Sequence, residues 1–244
     1  MNYSLYKLSD RKDLLEELIE LNDCSWPEFL KHGNTAHWNT LYQELAPFQL
    51  LFCEQETGKL IGAGFTVPIN WSCNVEDLPT TIEDIILNGL NTIGINDANT
   101  LTAIGALVSS EVRAQHLSSK ILAEMKKLTI SNNLSNLIVP VRPTWKAKYP
   151  LQAINDYVKW TREDGLCYDP WIRVHQRLGA RIIKVTNCTL TVEGTINEWE
   201  SWTDMIFPNS GNYIIPGGLT PVKIDTKNNL GIYKDPNVWM QHTI

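Results

Sequence analysis

Residues 109–122, "SSEVRAQHLSSKIL", decide how the rest of the chain is read. The run "TLTAIGALV" (100–108) enters this stretch. The pattern that leaves it sets Leu117, Ile121, Leu122, Met125 and Leu128 at helical spacing. The first is apolar almost throughout, as expected of a strand covered on both faces. A helix starting at Leu117 or Ser118 leaves its first backbone N–H groups unpaired, with the positive end of its dipole turned to the polar hinge. Those donors suit a pyrophosphate. Ser118 and Ser119 add hydroxyls, and Arg113 can add a charge-assisted contact. The plainer alternative makes Ser118 a helix cap and Arg113 a solvated charge.

Outward from the hinge, the chain alternates strands and helices. "NLIVPV" (136–141) is a second apolar strand, and strand, helix, strand at this spacing is a right-handed crossover between parallel neighbours. "DPWIRVHQRLGARIIKV" (169–185) reads as a helix with Asp169 at the N-cap, Pro170 at its first position and Gly179 at its stop, followed by a strand. Upstream, "FQLLFCEQETGKLIGAGFTVPINW" (48–71) reads as a hairpin around a Glu-Thr-Gly-Lys turn. Before it, Asp10 caps a helix carrying Leu14, Leu15, Leu18, Ile19 and Leu21, and a second helix is expected through "AHWNTLYQEL" (36–45). From Gly194 onward, Trp, Gly and Pro suggest short strands and turns.

Bulk properties narrow the function. The 244 residues suffice for a sizeable core, and 43% hydrophobic with 20% charged residues is a globular composition. A net charge of −6 gives no excess of cations for a nucleic-acid partner. No apolar run is long enough to span a membrane, and the N-terminus lacks the pattern of a signal peptide. Five scattered cysteines (Cys24, Cys53, Cys73, Cys167, Cys188) fit buried thiols in a reducing cytoplasm better than disulfides or zinc. His32, His37 and His242 stand alone and read as surface or packing residues. Glu83 and Asp84 read as a helix start, and Trp199, Trp202 and Trp239 as core.

The order of elements, with the two motifs in it, resembles the GNAT superfamily of acyl-CoA N-acyltransferases. That family sets Gln or Arg, two residues, Gly, one residue and Gly or Ala between a strand and a helix. Arg113 matches the first position, Leu117 suits the fifth, His116 replaces the first glycine and Ser118 the second. "RVHQRLGARI" is similar to the family's aromatic-x-x-x-Gly-aromatic helix ending, with His175 in the tyrosine place and Ala180 in the second aromatic place. The resemblance implies an α/β fold: a mixed, twisted sheet with helices on both faces and a V-shaped cleft between two splayed central parallel strands. It implies a single domain over 1–244, with the core at about 1–194 and a C-terminal extension of strands and turns at 195–244.

For chemistry, the resemblance implies transfer of an acyl group, most simply acetyl, from coenzyme A to an amine of a small molecule or peptide, without a metal. Acetyl-CoA or another acyl-CoA is then the co-substrate. Its pantetheine arm pairs with the backbone of Ala106, Leu107 and Val108, and its pyrophosphate lies on Arg113, Ala114, Gln115, His116, Leu117, Ser118 and Ser119. His175 becomes the general acid that protonates the departing thiolate. The alternative is a binding module of the same fold without turnover. The connection 142–168, "RPTWKAKYPLQAINDYVKWTREDGLCY", is longer than the family's usual one and dense in aromatics. Arg142, Trp145, Lys146 and Tyr149 are its candidates for the acceptor side, against a lid packed on its own aromatics. Acceptor identity, acyl-chain length and oligomeric state are not encoded in any motif.

Overall fold

A computed structural model describes residues 2–112 and 116–244; Arg113, Ala114 and Gln115 lie outside the described residues. The strands are β1 (Tyr3–Lys7), β2 (Leu50–Glu54), β3 (Leu60–Ile69), β4 (Thr100–Val108), β5 (Asn136–Val141), β6 (Ala180–Gly194), β7 (Gly211–Tyr213), β8 (Val222–Asp225) and β9 (Leu230–His242). The helices are α1 (Leu15–Asp23), α2 (Ile82–Ile95), α3 (Leu117–Ser131), the single turn α4 (Ile154–Tyr157), α5 (Pro170–Arg177) and α6 (Ile196–Thr203).

Among the described residues, nine strands form one mixed sheet. β1 to β4 are antiparallel neighbours, β4 and β5 run parallel, and β9 lies antiparallel between β5 and β6. The first residues of β9 also carry β8, which in turn carries β7. Side-chain alternation divides the core between the two faces. Leu50 and Phe52 of β2 join Ile121, Leu122 and Met125 of α3 and Ile172 of α5 on one face. Leu51 and Cys53 join Leu18 of α1 on the other, where Ile85 and Ile86 of α2 pack on Val67 and Ile69 of β3. The expected layering of helices on both faces is therefore present. α3 sits close to the sheet because Gly64 leaves room: a Cβ there would lie 2.7 Å from Met125 Cε.

Several local expectations are corrected. The first helix starts at Leu15, not at Asp10, because Arg11 and Asp13 form a bidentate pair in a preceding 3₁₀ turn. The segment 36–45 forms 3₁₀ turns in place of an α-helix. There the Thr40 hydroxyl donates to the His37 carbonyl at 2.6 Å, a local bond that competes with helix growth ahead of Pro47. The C-terminal part contains α6, capped reciprocally by Thr195 and Glu198. It also contains the central strand β9, so the sheet continues well past residue 194. Asp84 and Thr81 cap α2 as a helix start, and Trp199 and Trp239 are buried as expected.

Candidate active site

β4 and β5 are paired only over Thr100–Thr102 and Asn136–Ile138. β3 continues to hold the other edge of β4 as far as Val108, through a register slip that leaves Ile104 without a partner. Beyond Thr102 the edge of β4 that faces β5 is released, and the two strands bound a cleft of about 620 Å³. Ala106, Leu107 and Val108 line it on one side, and Val139, Pro140 and Val141 on the other. Leu122 and Met125 of α3, Trp171 and His175 of α5, and Trp26 and Trp38 from the N-terminal turns complete its apolar surface. An open strand edge in an apolar slot offers backbone N–H and C=O groups to an extended amide-bearing ligand.

The N-terminus of α3 stands at the mouth of this slot, and Ser118 lines it. His116 precedes the helix at φ 56°, ψ 23°, the left-handed conformation that glycine adopts without cost. His116 thus holds a backbone conformation that favours glycine. Hydrogen bonding within the helix begins with the Ser119 and Lys120 amides on the His116 carbonyl. The amides of Leu117 and Ser118 precede those bonds and carry the positive end of the dipole. The Leu117 side chain is buried in the core, so only its backbone is available to a ligand. Ser119 has its own amide engaged, which leaves its hydroxyl as its contribution.

His175 projects from α5 into the cleft wall and is 0% exposed. Its Nδ1 lies 2.9 Å from Nε2 of His242 on β9, and the Trp171 ring packs edge-on at 4.5 Å. Burial, with a smaller contribution from His242, pushes its pKa down to about 3. That shift disfavours the charged imidazolium that a resident acid at this position needs. Asp169 does not assist it. One Asp169 oxygen accepts from the Trp171 and Ile172 amides as the cap of α5, and the other from the Tyr157 hydroxyl and the Trp145 amide. His242, expected to be a quiet packing residue, is the partner that the sequence did not reveal. It lies 67 residues away, in a strand not recognised as central.

The long connection divides in two. Arg142 lines the cleft, with Nε on both Asp235 oxygens at 3.1 and 3.0 Å and Nη2 on the Gly217 carbonyl. Trp145, Lys146 and Tyr149 are not among the residues that line it. Lys146 is 0% exposed, and its ammonium donates to the carbonyls of Tyr149 and Leu219 at 2.8 and 2.6 Å. Tyr149, Tyr157, Trp160 and Tyr168 pack ring against ring, with Trp145 against Tyr168. The lid is packed on its own aromatics.

Polar groups also line the cleft. Asp235 is 3% exposed and accepts from Arg142 and from the Tyr233 hydroxyl, which burial holds protonated well above the usual phenol range. Asn237 donates to Thr189, and the exposed Asp23 and Lys31 also line the cleft. None of these was singled out from the sequence. Asp235 and Asn237 flank Pro236, a combination that reads as a turn but is a strand irregularity where β6 and β9 slip register.

With this geometry, likeness to known proteins can be weighed. No protein-family model matches the chain. It is 27% identical over 275 aligned positions to the arginine N-acetyltransferase avaD of Aspergillus versicolor, covering 99% of this chain and 94% of that protein. Its fold matches the loading GNATL domain of CurA from Lyngbya majuscula at a TM-score of 0.65 and 17% identity, over 100% of this chain and 98% of that one. The chain has the fold of GNAT proteins. A second GNAT structure, the GphF GNAT-like decarboxylase in complex with isobutyryl-CoA, matches at a TM-score of 0.59 and 16% identity, over 100% and 99% of the two chains. The splayed strand pair, α3 and its left-handed N-cap are thus parts of a GNAT fold.

Proposed function

We propose that the chain transfers a small acyl group, most simply acetyl, from coenzyme A to an amine of a cationic amino acid such as arginine. The observation that carries this reading is the cleft between β4 and β5. Its lining is mostly apolar, and includes Ser118 in the first turn of α3 and the charged residues Asp23, Lys31, Arg142 and Asp235. In this reading the pantetheine arm lies along Ala106 to Val108 and the pyrophosphate at His116 to Ser119. Arg113, Ala114 and Gln115, outside the described residues, remain assigned to that cradle. The thioester then reaches the middle of the slot, beside His175.

These mixed charges suit an acceptor that is itself a zwitterion. The carboxylate of Asp23 can hold a guanidinium or ammonium group, while Lys31 and Arg142 supply positive charge for a carboxylate. The avaD enzyme is named for arginine, which fits that set. The amine nitrogen attacks the thioester carbon, the C–N bond forms, the C–S bond breaks, and coenzyme A leaves as the thiol once a proton reaches sulfur. Five free cysteines fit a reducing compartment, the cytoplasm, and the net charge of −6 suits a small cationic acceptor better than a nucleic acid.

The test is a product assay by mass spectrometry. Purified protein with acetyl-CoA is offered arginine, agmatine, lysine and uncharged primary amines. The expected result is a monoacetylated product with stoichiometric release of coenzyme A thiol, fastest with arginine and slowed by Asp23→Asn. Binding of acetyl-CoA with no product from any amine would instead identify a binding module.

A further inference from the structure

Among the described residues that line the cleft, two are carboxylates, and they differ in what they already hold. Asp235 is spent: it accepts from Arg142, from the Tyr233 hydroxyl and from Asn237. Asp23, the last residue of α1, is exposed, accepts no hydrogen bond and joins no ion pair among the described residues. The Lys31 ammonium stands within its electrostatic reach but is bound to Glu28 at 2.6 Å. Two indoles share the surroundings of Asp23. Trp26, on the next turn, donates its Nε1 proton at 3.1 Å to Asn22, the residue before Asp23. Trp38 donates its own at 3.0 Å to the Tyr42 hydroxyl, which also lies within electrostatic reach of Asp23. Both indole N–H groups are therefore satisfied inside the protein, and the half-buried rings offer the cleft aromatic carbon. Phe65 packs edge to face with Trp38 at 5.6 Å and 88°, which holds that ring in place before any ligand arrives. Trp26, Trp38 and Ile104 pack on the core beneath α1, whereas Leu122 and Met125 belong to the core beneath α3 on the opposite face of the sheet. A ligand on Asp23 and the indoles thus lies across the sheet from one held at the start of α3.

We infer that Trp26, Trp38 and Asp23 form a subsite for a planar guanidinium, which selects an arginine-type acceptor over a lysine-type one. This rests on the acyltransferase reading above. A guanidinium is flat, weakly hydrated and always charged. It can lie on an indole face while its N–H groups, in the plane of the stack, reach a carboxylate at the edge. Asp23 is the carboxylate in the cleft that is free to receive them. An ammonium is compact and strongly hydrated, with three donors to satisfy. Of the two cleft acids only Asp23 can answer it, and Pro27, Leu30, Ile82 and Ile104 around the indoles add no acceptor side chain. The exchange of water for this wall therefore costs an ammonium more than a guanidinium. A protonated guanidinium is not a nucleophile, so the amine that attacks the thioester is the one at the other end of the acceptor.

Binding and turnover test the subsite separately. In the first measurement arginine, lysine and citrulline, the uncharged isostere of arginine, are titrated by calorimetry into the protein saturated with coenzyme A. Arginine should bind on the order of tenfold more tightly than either. Trp26→Leu and Trp38→Leu should each weaken arginine on the order of tenfold and lysine much less, with part of the loss restored in Trp26→Phe and Trp38→Phe, which keep an aromatic face. Asp23→Asn, an exposed change that does not touch the core, should weaken arginine and leave citrulline unchanged, and it carries the test with the Phe variants if a Leu variant melts below the parent. The second measurement, steady-state kinetics, should show these changes in the KM for arginine, with a smaller effect on kcat. Equal binding of arginine, lysine and citrulline, or parental affinity for arginine in the tryptophan and Asp23 variants, overturns the subsite and leaves the acyltransferase reading standing. Selective binding of arginine with no acylated product from any amine overturns the acyltransferase reading and leaves the subsite standing.

Discussion

Lys146 and His175 are both basic side chains with no exposed surface, yet the structure treats them in opposite ways. Lys146 has two carbonyl partners inside the aromatic lid, and although burial pushes its pKa down to about 8, it remains protonated at neutral pH. His175, in the cleft wall, has one partner, another imidazole, and its second nitrogen is buried without a hydrogen bond among the described residues. A buried polar group whose bonds are all made inside the protein holds the fold together. One whose last bond is missing is waiting for a ligand. By this difference the lid is scaffold, and the slot between β4 and β5 is where a ligand belongs.

The largest effect should come from the scaffold side. Lys146→Ala removes the side chain that ties the lid to the Leu219 carbonyl, empties the volume it filled, and leaves two carbonyls without a donor. The expected loss of stability is about 2–5 kcal/mol, read by urea or thermal unfolding. Affinity for coenzyme A should be unchanged in the protein that remains folded. If the variant keeps its stability and loses coenzyme A instead, the two regions have been assigned the wrong way round.

A smaller effect, on the cleft side, appears in acid. Unfolded histidines bind protons below about pH 6.5, whereas His175 and His242 resist until about 3 and about 4 in the fold. The unfolded state therefore binds more protons through this window, and stability falls as the pH drops from about 6.5 towards 4. At pH 5 the loss amounts to about 2 kcal/mol for each ring. A His175→Gln/His242→Gln variant should lose most of that slope in unfolding experiments run from pH 7 to pH 5. An unchanged slope would mean that the rings are hydrated in solution.

Much of this arrangement was legible in the sequence. The hairpin of β2 and β3, the run of β4, the apolar spacing of α3 and the capped start of α5 all follow from periodicity and from Asp169-Pro170. So does the sheet-facing side of α5 that carries His175. The segment 36–45 was misread because apolar spacing says nothing of hydroxyls that bond locally, such as that of Thr40. β9 is hard to see in the sequence because Asp235-Pro236-Asn237 favours a turn, and it stays a strand only through pairing with β6, which bulges opposite Pro236. His242, Asp235 and Asn237 were missed with it, since no local pattern marks a residue whose partners are distant in sequence. A lysine among aromatics signals a pocket or a peg equally well, and the bond of Lys146 to the distant Leu219 carbonyl is not legible from its sequence neighbours.

The account stands or falls on coenzyme A lying in the slot with its pyrophosphate at the start of α3. Calorimetric titration of coenzyme A into the parent protein and into Ser118→Trp tests this most directly, because Ser118 lines the slot and is not part of the buried core. The parent should bind and melt at a higher temperature in its presence, the gain following RT ln(1 + [L]/Kd). Ser118→Trp should fold and melt like the parent without ligand but show no heat of binding. Equal affinity in the two proteins would contradict the cradle and place coenzyme A elsewhere on the molecule.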